Sequence, residues 1–162
     1  MPKLAYLSLG SNLGDRSQHL EAAIRLLHRP DLKILRRSSL YETEPQDLTT
    51  QPKFLNLILE IATTLFPRQL LSRIQKVEGR LGRRRLVDKG PRAIDVDIVL
   101  YGSAVMDTPA LTIPQPRMQD RRFVLEPLAE LLPDLRHPVT RETCRAMLSR
   151  VASQQAIKIK QS

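Results

Sequence analysis

Asp95-Val96-Asp97 sets two carboxylates two residues apart. Side chains alternate along an extended strand, so both acids point to the same side. Like charges that close repel unless a cation lies between them. Their hard oxygen donors suit Mg²⁺, which takes one or two protein carboxylates and completes its shell with water and substrate phosphate. A solvated strand face would account for an arbitrary Asp-x-Asp just as well. Here, however, Arg92 stands three residues upstream and Arg83-Arg84-Arg85 precedes it. Metal-binding carboxylates ringed by guanidiniums are the parts that phosphoryl transfer requires.

Three further groups carry chemistry by type and spacing. Arg80 to Arg92 holds six basic residues and one acid, interrupted by Gly82, Gly90 and Pro91. It reads as an Arg-rich loop able to close over a polyphosphate, or as a solvated basic loop. Gly10-Ser11-Asn12-Leu13-Gly14-Asp15 reads as a tight strand-to-helix turn or a phosphate cradle. It meets neither the dinucleotide nor the P-loop pattern, and the absence of a P-loop lysine excludes that kinase class. Phe54, Asn56 and Phe123 supply two rings able to clamp a flat heterocycle and an amide able to read its edge; core packing is the plain alternative. His19, His28 and His137 lack ligand spacing and read as structural or surface residues. No Ser/His/Asp or Cys/His arrangement is visible.

The elements that must position these groups follow from periodicity. Leu4–Leu9 reads as a strand ending at Gly10. Asp15–Leu27 reads as a helix, with Leu20, Ala23, Ile24 and Leu27 on one stripe and Asp15 and Gln18 placed as a capping box. Leu32–Tyr41 reads as one strand with a polar middle at Arg36–Ser39, and Glu42–Lys53 as a loop punctuated by Pro45 and Pro52. Phe54–Thr63 alternates, with Leu55, Leu57, Leu59 and Ile61 on one face and Phe54 and Asn56 on the other. Pro67 opens a helix whose stripe is Leu70, Leu71, Ile74, Val77 and Leu81, with Gln75 and Glu78 off that stripe. Ile94–Leu100 is a strand that puts Asp95 and Asp97 opposite Ile94, Val96 and Ile98. A hairpin-like Tyr101–Asp107, a Pro-rich loop and helices near Arg122–Leu132 and Arg141–Val151 complete the chain, with a polar tail at Ser153–Ser162 expected to fray.

The order to Leu100 is βαββαβ, which predicts an α+β, ferredoxin-like sandwich: an antiparallel sheet with helices packed on one face, and a C-terminal extension. At 162 residues the chain fits one domain, 1–162, with an aliphatic core, since Trp is absent and aromatics are 4%. The formal charge of +9 calls for an anionic partner: nucleic acid, membrane surface or phosphorylated small molecule. Its concentration beside carboxylates favours a phosphate-and-metal site over a nucleic-acid track. Cys144 is the sole cysteine, so no intrachain disulfide forms, which suits a reducing compartment. No run approaches the ~20 apolar residues of a membrane span. A soluble, cytoplasmic protein is expected.

Taken in order, these residues resemble the 6-hydroxymethyl-7,8-dihydropterin pyrophosphokinase family. Asp88-Lys89-Gly90-Pro91-Arg92-Ala93-Ile94-Asp95-Val96-Asp97-Ile98-Val99 is similar to its signature. Leu7–Asp15, Tyr41-Glu42-Thr43-Glu44-Pro45, Phe54-Leu55-Asn56 and Arg121–Leu128 are further matches in family order. The resemblance implies transfer of the terminal diphosphate of MgATP to the pterin hydroxymethyl group, in folate biosynthesis. It implies two Mg²⁺ held by Asp95 and Asp97, with Glu78 supporting the metal side. The pterin would lie between Phe54 and Phe123, its edge read by Asn56 and by Thr43, Glu44 and Pro45. ATP would be held by Gln75, Arg85, Arg92, Ile98, Thr112, Gln115 and Arg121. Arg83 and Arg92 would act during transfer. Gln115 stands where many members carry a histidine. The resemblance further implies a monomer with small-molecule substrates and neither nucleic acid nor membrane as partner.

Other readings stay open on the sequence. A ferredoxin-like RNA-binding module would place aromatics on a basic sheet, but its RNP1 pattern is missing and two acids occupy the strand. A metal-dependent phosphotransferase for another small alcohol would keep the acids and arginines without needing Phe54, Asn56 and Phe123. An inactive scaffold sits poorly with Asp95, Asp97 and Arg92 all present.

Overall fold

The computed structural model describes residues 1–44, 51–82, 92–152 and 156–159. Its elements are β1 (Lys3–Ser11), α1 (Arg16–Leu27), β2 (Leu32–Arg37), β3 (Leu40–Thr43), β4 (Phe54–Thr63), α2 (Pro67–Arg80), β5 (Asp95–Tyr101), β6 (Met106–Asp107), β7 (Thr112–Ile113), α3 (Arg122–Leu131), α4 (Cys144–Arg150) and β8 (Ala156–Ile159). The principal sheet is six-stranded, in the order β5-β1-β4-β3-β8, with β2 also paired to β4. Every ladder in it is antiparallel. Up to β5 the path is βαβββαβ, the expected βαββαβ order with its second strand divided in two.

Local chemistry fixes the helix ends. Asp15 caps α1, its side chain accepting from the Gln18 N–H at 3.1 Å, which satisfies an N–H that has no partner within the helix. Pro67 opens α2, where a missing N–H costs nothing, and the Phe66 N–H donates to Gln69 Oε1 at 2.8 Å. His28 lies just past α1, capping its C-terminus.

Two apolar clusters sandwich the sheet. On one side Leu20, Ala23 and Leu27 of α1 and Leu70, Ile74 and Val77 of α2 pack against Leu7, Leu9, Leu57, Leu59, Ile61, Val96 and Ile98. On the other, Val124, Leu125 and Leu128 of α3 and Cys144 and Met147 of α4 pack against Tyr6, Ile58, Val99 and Leu100. A register shift in the β1–β5 ladder lets Val99 and Leu100 join the same cluster. Each fully buried aliphatic side chain contributes ~1.5–3 kcal/mol. The helices of the βαββαβ unit do share one face, but α3 and α4 add a third layer on the other. Helices therefore cover both faces, where one was expected.

Four local expectations are corrected. The stretch 32–41 is two strands, broken at Ser38 and Ser39. The Ser38 N–H donates to the Ile58 carbonyl and its hydroxyl accepts from the Ile58 N–H, so one serine satisfies both backbone groups of β4 at the break. The expected loop at Glu42 begins later, because Glu42 and Thr43 belong to β3. The tail does not simply fray: β8 pairs with β3, and Ile159 packs on the first cluster. The hairpin after β5 is made by β6 and β7, Met106 opposite Ile113.

Candidate active site

The cross-strand register assembles the site. Gly10 lies between Asp95 of β5 and Asn56 of β4, and Ser8 lies between Asp97 and Ile58. Asp95, Asp97 and Asn56 thus emerge on the sheet face that α3 and α4 cover further along. Asp97 is exposed and Asp95 half-buried, whereas Val96 and Ile98 between and beside them are in the core. The two acids share a side, as the alternation predicts.

Each acid has a neighbour that orients it. Arg92 Nη1 donates to Asp95 Oδ2 at 2.6 Å, a short charge-assisted bond. Gln115 Nε2 donates to Asp97 Oδ2 at 3.1 Å. Gln115 is buried, and its own N–H donates to the Val99 carbonyl at 2.9 Å, which docks the chain after β7 onto β5. Between the acids, the Val96 N–H donates to Glu78 Oε2 at 2.9 Å. Glu78 is therefore buried against β5 at 6% exposure, not off the α2 stripe with Gln75, which is exposed. Helical spacing alone cannot reveal a carboxylate turned inward to satisfy a strand N–H.

The ring side is tied to the charged side. The Arg92 guanidinium carbon lies 5.9 Å from the Phe54 ring centroid, within cation–π range. Asn56 is 3% exposed and its Nδ2 donates to the Thr43 hydroxyl of β3. Its Oδ1 lies where a Cβ on Gly10 would come within 2.7 Å. Glycine at position 10 is thus a requirement of close approach, not of turn geometry. Gly14, at φ +67°, supplies the left-handed turn before α1. Phe123 of α3 is half-buried, with Arg121 5.6 Å over its ring. Thr112 is half-buried on β7. Ile98 has its side chain in the core, so anything it offers a nucleotide comes from its peptide group. Glu44 lies 3.5 Å from Lys53. Pro45, Arg83, Arg84, Arg85, Gly90 and Pro91 lie outside the described residues.

Sequence reading assigned no role to Asn12 or Arg16. Asn12 is buried and bonded to Gln51, Pro52 and Arg92. Arg16 pairs with Glu42 at 2.9 Å and donates to the Lys53 carbonyl at 3.1 Å. The turn motif at 10–15 contains Asn12, and no motif pointed to Arg16. Marked pKa shifts occur in two structural networks on the sheet. Burial and a hydrogen bond to Glu60 push Tyr6 well above its usual range. The hydrogen bond from Arg36 holds Glu60 low. Burial and a 2.6 Å hydrogen bond to Glu130 raise Tyr41 in the same way.

Among the described residues no three or more His, Cys, Asp or Glu side chains gather as a metal cage. Two carboxylates on an open strand face leave a coordination shell for water and substrate oxygens to complete, the pattern Mg²⁺ prefers. The donor set thus fits Mg²⁺.

Residues 6–133 match the family described as 7,8-dihydro-6-hydroxymethylpterin-pyrophosphokinase. The chain belongs to this pyrophosphokinase family. It is 46% identical over 132 residues to the 2-amino-4-hydroxy-6-hydroxymethyldihydropteridine pyrophosphokinase of Bacillus subtilis, covering 81% of this chain and 79% of that one. It is 44% identical over 153 residues to the folic acid synthesis protein fol1 of Schizosaccharomyces pombe. That match covers 94% of this chain and 21% of the fungal protein, so the chain spans about a fifth of that relative's length. Among solved structures, Plasmodium falciparum HPPK-DHPS superposes with a TM-score of 0.77 at 17% identity, over 94% of this chain and 46% of the other. At that identity the likeness concerns the fold. The α+β, ferredoxin-like architecture and the membership implied by the motifs are both upheld.

Proposed function

We propose that this pyrophosphokinase-family chain, as one domain over 1–162, transfers the terminal diphosphate of MgATP to the hydroxymethyl group of 6-hydroxymethyl-7,8-dihydropterin in folate biosynthesis, releasing AMP. The observation that carries this reading is the position of Arg92, which touches the Asp95 carboxylate and lies over the Phe54 ring. One guanidinium thus spans the place for a cation-bound polyphosphate and the place for a flat ring.

Phe54 and Phe123 would bracket the pterin, with Asn56 held by Thr43 so that its amide is already oriented before substrate arrives. Preorganised donors of this kind cost little reorganisation during reaction. Glu44 and Pro45 would complete the ring's edge contacts. Gln75, Arg85, Ile98, Thr112, Gln115 and Arg121 would hold ATP, and Arg83 would join Arg92 on the transferring group. Asp95 and Asp97 would hold two Mg²⁺, which when bound neutralise phosphate charge and favour the alkoxide character of the attacking oxygen. The pterin hydroxymethyl oxygen attacks the β-phosphorus in line. The bond from the β-phosphorus to the bridging oxygen breaks, AMP leaves with that electron pair, and the hydroxyl proton passes to solvent. Arg92 stays opposite the charge that builds on the transferred group. The protein is proposed to work as a cytoplasmic monomer on small molecules, with neither nucleic acid nor membrane as partner. Among the described residues no helix is long and apolar enough to cross a membrane.

The test separates AMP from ADP in a reaction of ATP, Mg²⁺ and the hydroxymethyl-dihydropterin. Pterin-dependent AMP is expected, falling at least ~100-fold in Asp97→Ala. ADP instead of AMP would mean transfer of a single phosphoryl group and a different reaction.

A further inference from the structure

Nothing in the reaction above uses Asn12, yet it is 2% exposed and its side chain is engaged at both ends. Nδ2 donates to Gln51 Oε1 at 2.7 Å and to the Pro52 carbonyl at 3.1 Å. Oδ1 accepts from the Arg92 N–H at 2.7 Å. The Asn12 N–H donates to the Arg92 carbonyl at 3.1 Å. One residue of the β1–α1 turn therefore grips two segments distant in sequence. The first runs directly into Phe54. The second carries the guanidinium placed against both Asp95 and Phe54.

Two details make this grip matter. Arg92 Nε is buried without a hydrogen-bond partner, so its side chain is located by its backbone and by the Nη1 bond to Asp95. On the other segment, Arg16 bonds the next carbonyl, Lys53, and Asn12 is the residue that hydrogen-bonds both segments, beneath the contact of the Arg92 guanidinium with the Phe54 ring. The task needs one acceptor and two donors on a short arm. An asparagine amide has them; aspartate keeps the acceptor and loses the donors.

We propose that Asn12 is a positioning residue that fixes Arg92 relative to the ring of Phe54. Its carbonyl end sets the guanidinium for transfer, and its amino end sets the approach to the pterin ring. This inference rests on the pyrophosphokinase reading.

The two ends predict separable kinetics. Asn12→Ala is expected to lower kcat ~10–100-fold, the scale of a misplacement near 1 Å, and to raise the KM for the hydroxymethyl-dihydropterin. Asn12→Asp retains the acceptor for the Arg92 N–H, so it should recover most of the kcat loss while the pterin KM stays raised. Gln51→Ala removes one of the two amino-end bonds, leaving that to the Pro52 carbonyl, and should raise the pterin KM roughly 2–10-fold, the scale of one neutral hydrogen bond, with kcat little changed. Circular dichroism and thermal melts establish which variants fold; if Asn12→Ala does not, Asn12→Asp and Gln51→Ala decide. Equal kcat losses in Asn12→Ala and Asn12→Asp, a kcat within twofold of wild type in folded Asn12→Ala, or an unmoved pterin KM in Gln51→Ala would each overturn the proposal. Wild-type protein that makes no AMP would remove the proposed activity itself. Wild-type turnover with unaffected variants would remove only the role of Asn12.

Discussion

Gly10 shows how tightly the site is specified at the level of single atoms. A methyl group there would stand 2.7 Å from Asn56 Oδ1 and 3.4 Å from Phe54 Cδ1. Both neighbours are pterin-side candidates, and Asn56 is held from behind by Thr43. Overpacking of this kind typically costs ~1–3 kcal/mol, spread over the groups that must move. Gly10→Ala is therefore expected to raise the pterin KM ~10-fold or more while leaving the KM for ATP nearly unchanged. Steady-state kinetics with each substrate varied in turn will check this. Equal effects on both substrates would mean that the added methyl shifts β1 as a whole. Gln115 makes a related point: a neutral side chain orients Asp97 through a donated N–H. Orientation of that acid does not depend on a residue that titrates near neutrality.

Elements matter through the backbone groups that they must satisfy. β5 presents Asp95 and Asp97 outward, and its intervening Val96 N–H points to α2, where Glu78 accepts it. A buried N–H left without a partner costs ~1–3 kcal/mol. Glu78→Ala should lower the urea midpoint by a corresponding amount and raise the Mg²⁺ concentration needed for half-maximal turnover. A variant that loses stability but keeps its Mg²⁺ response would confine Glu78 to a structural role. β3 is a second case of an element holding a site residue in place. It carries Thr43, which bonds Asn56, and it is flanked by β4 and β8. Tyr41 on the same strand is tied to Glu130 of α3.

At the scale of the whole molecule, buried ionisable groups set the pH range of stability. Burial lowers His137 below 6.5. A depressed folded value means that its stabilisation is present above 6.5 and is lost as pH falls through the lower, folded value. Glu60, held below 4.5 by Arg36, adds a second loss at more acid pH in the same direction. Tyr6 and Tyr41 are raised above 10, so their contribution is present below 10 and is lost as pH rises through the folded values. With the buried Cys144 thiol, thermal melts should give a plateau between about 6.5 and 9, falling on both sides. Glu60→Gln should make the acid limb below 4.5 shallower, the rest coming from the other lowered carboxylates, Glu130 and Glu142 among them. A Tm that rises steadily through the alkaline range would contradict the assignment of the tyrosines. Cys144, pushed from 9 up to about 11 by burial, opens the alkaline fall, because its stabilisation is lost as pH rises from 9 through the folded value.

By itself the sequence determined the strand–helix order to Leu100 apart from the division of its second strand, the shared side of Asp95 and Asp97, the helix starts at Asp15 and Pro67, and the pyrophosphokinase family. These follow from periodicity, capping and motif residues within a few positions of one another. Only the tertiary structure decided what depends on distant backbone partners. Ser38 breaks one predicted strand in two because it must satisfy Ile58 across the sheet. Glu78 turns inward because Val96 needs an acceptor. The tail becomes β8 because β3 offers it an open edge. α3 and α4 take the second face because Tyr6, Ile58, Val99 and Leu100 would otherwise face water. Asn12 joins the two halves of the site for the same reason: its hydrogen-bond partners are neighbours only once the sheet has formed.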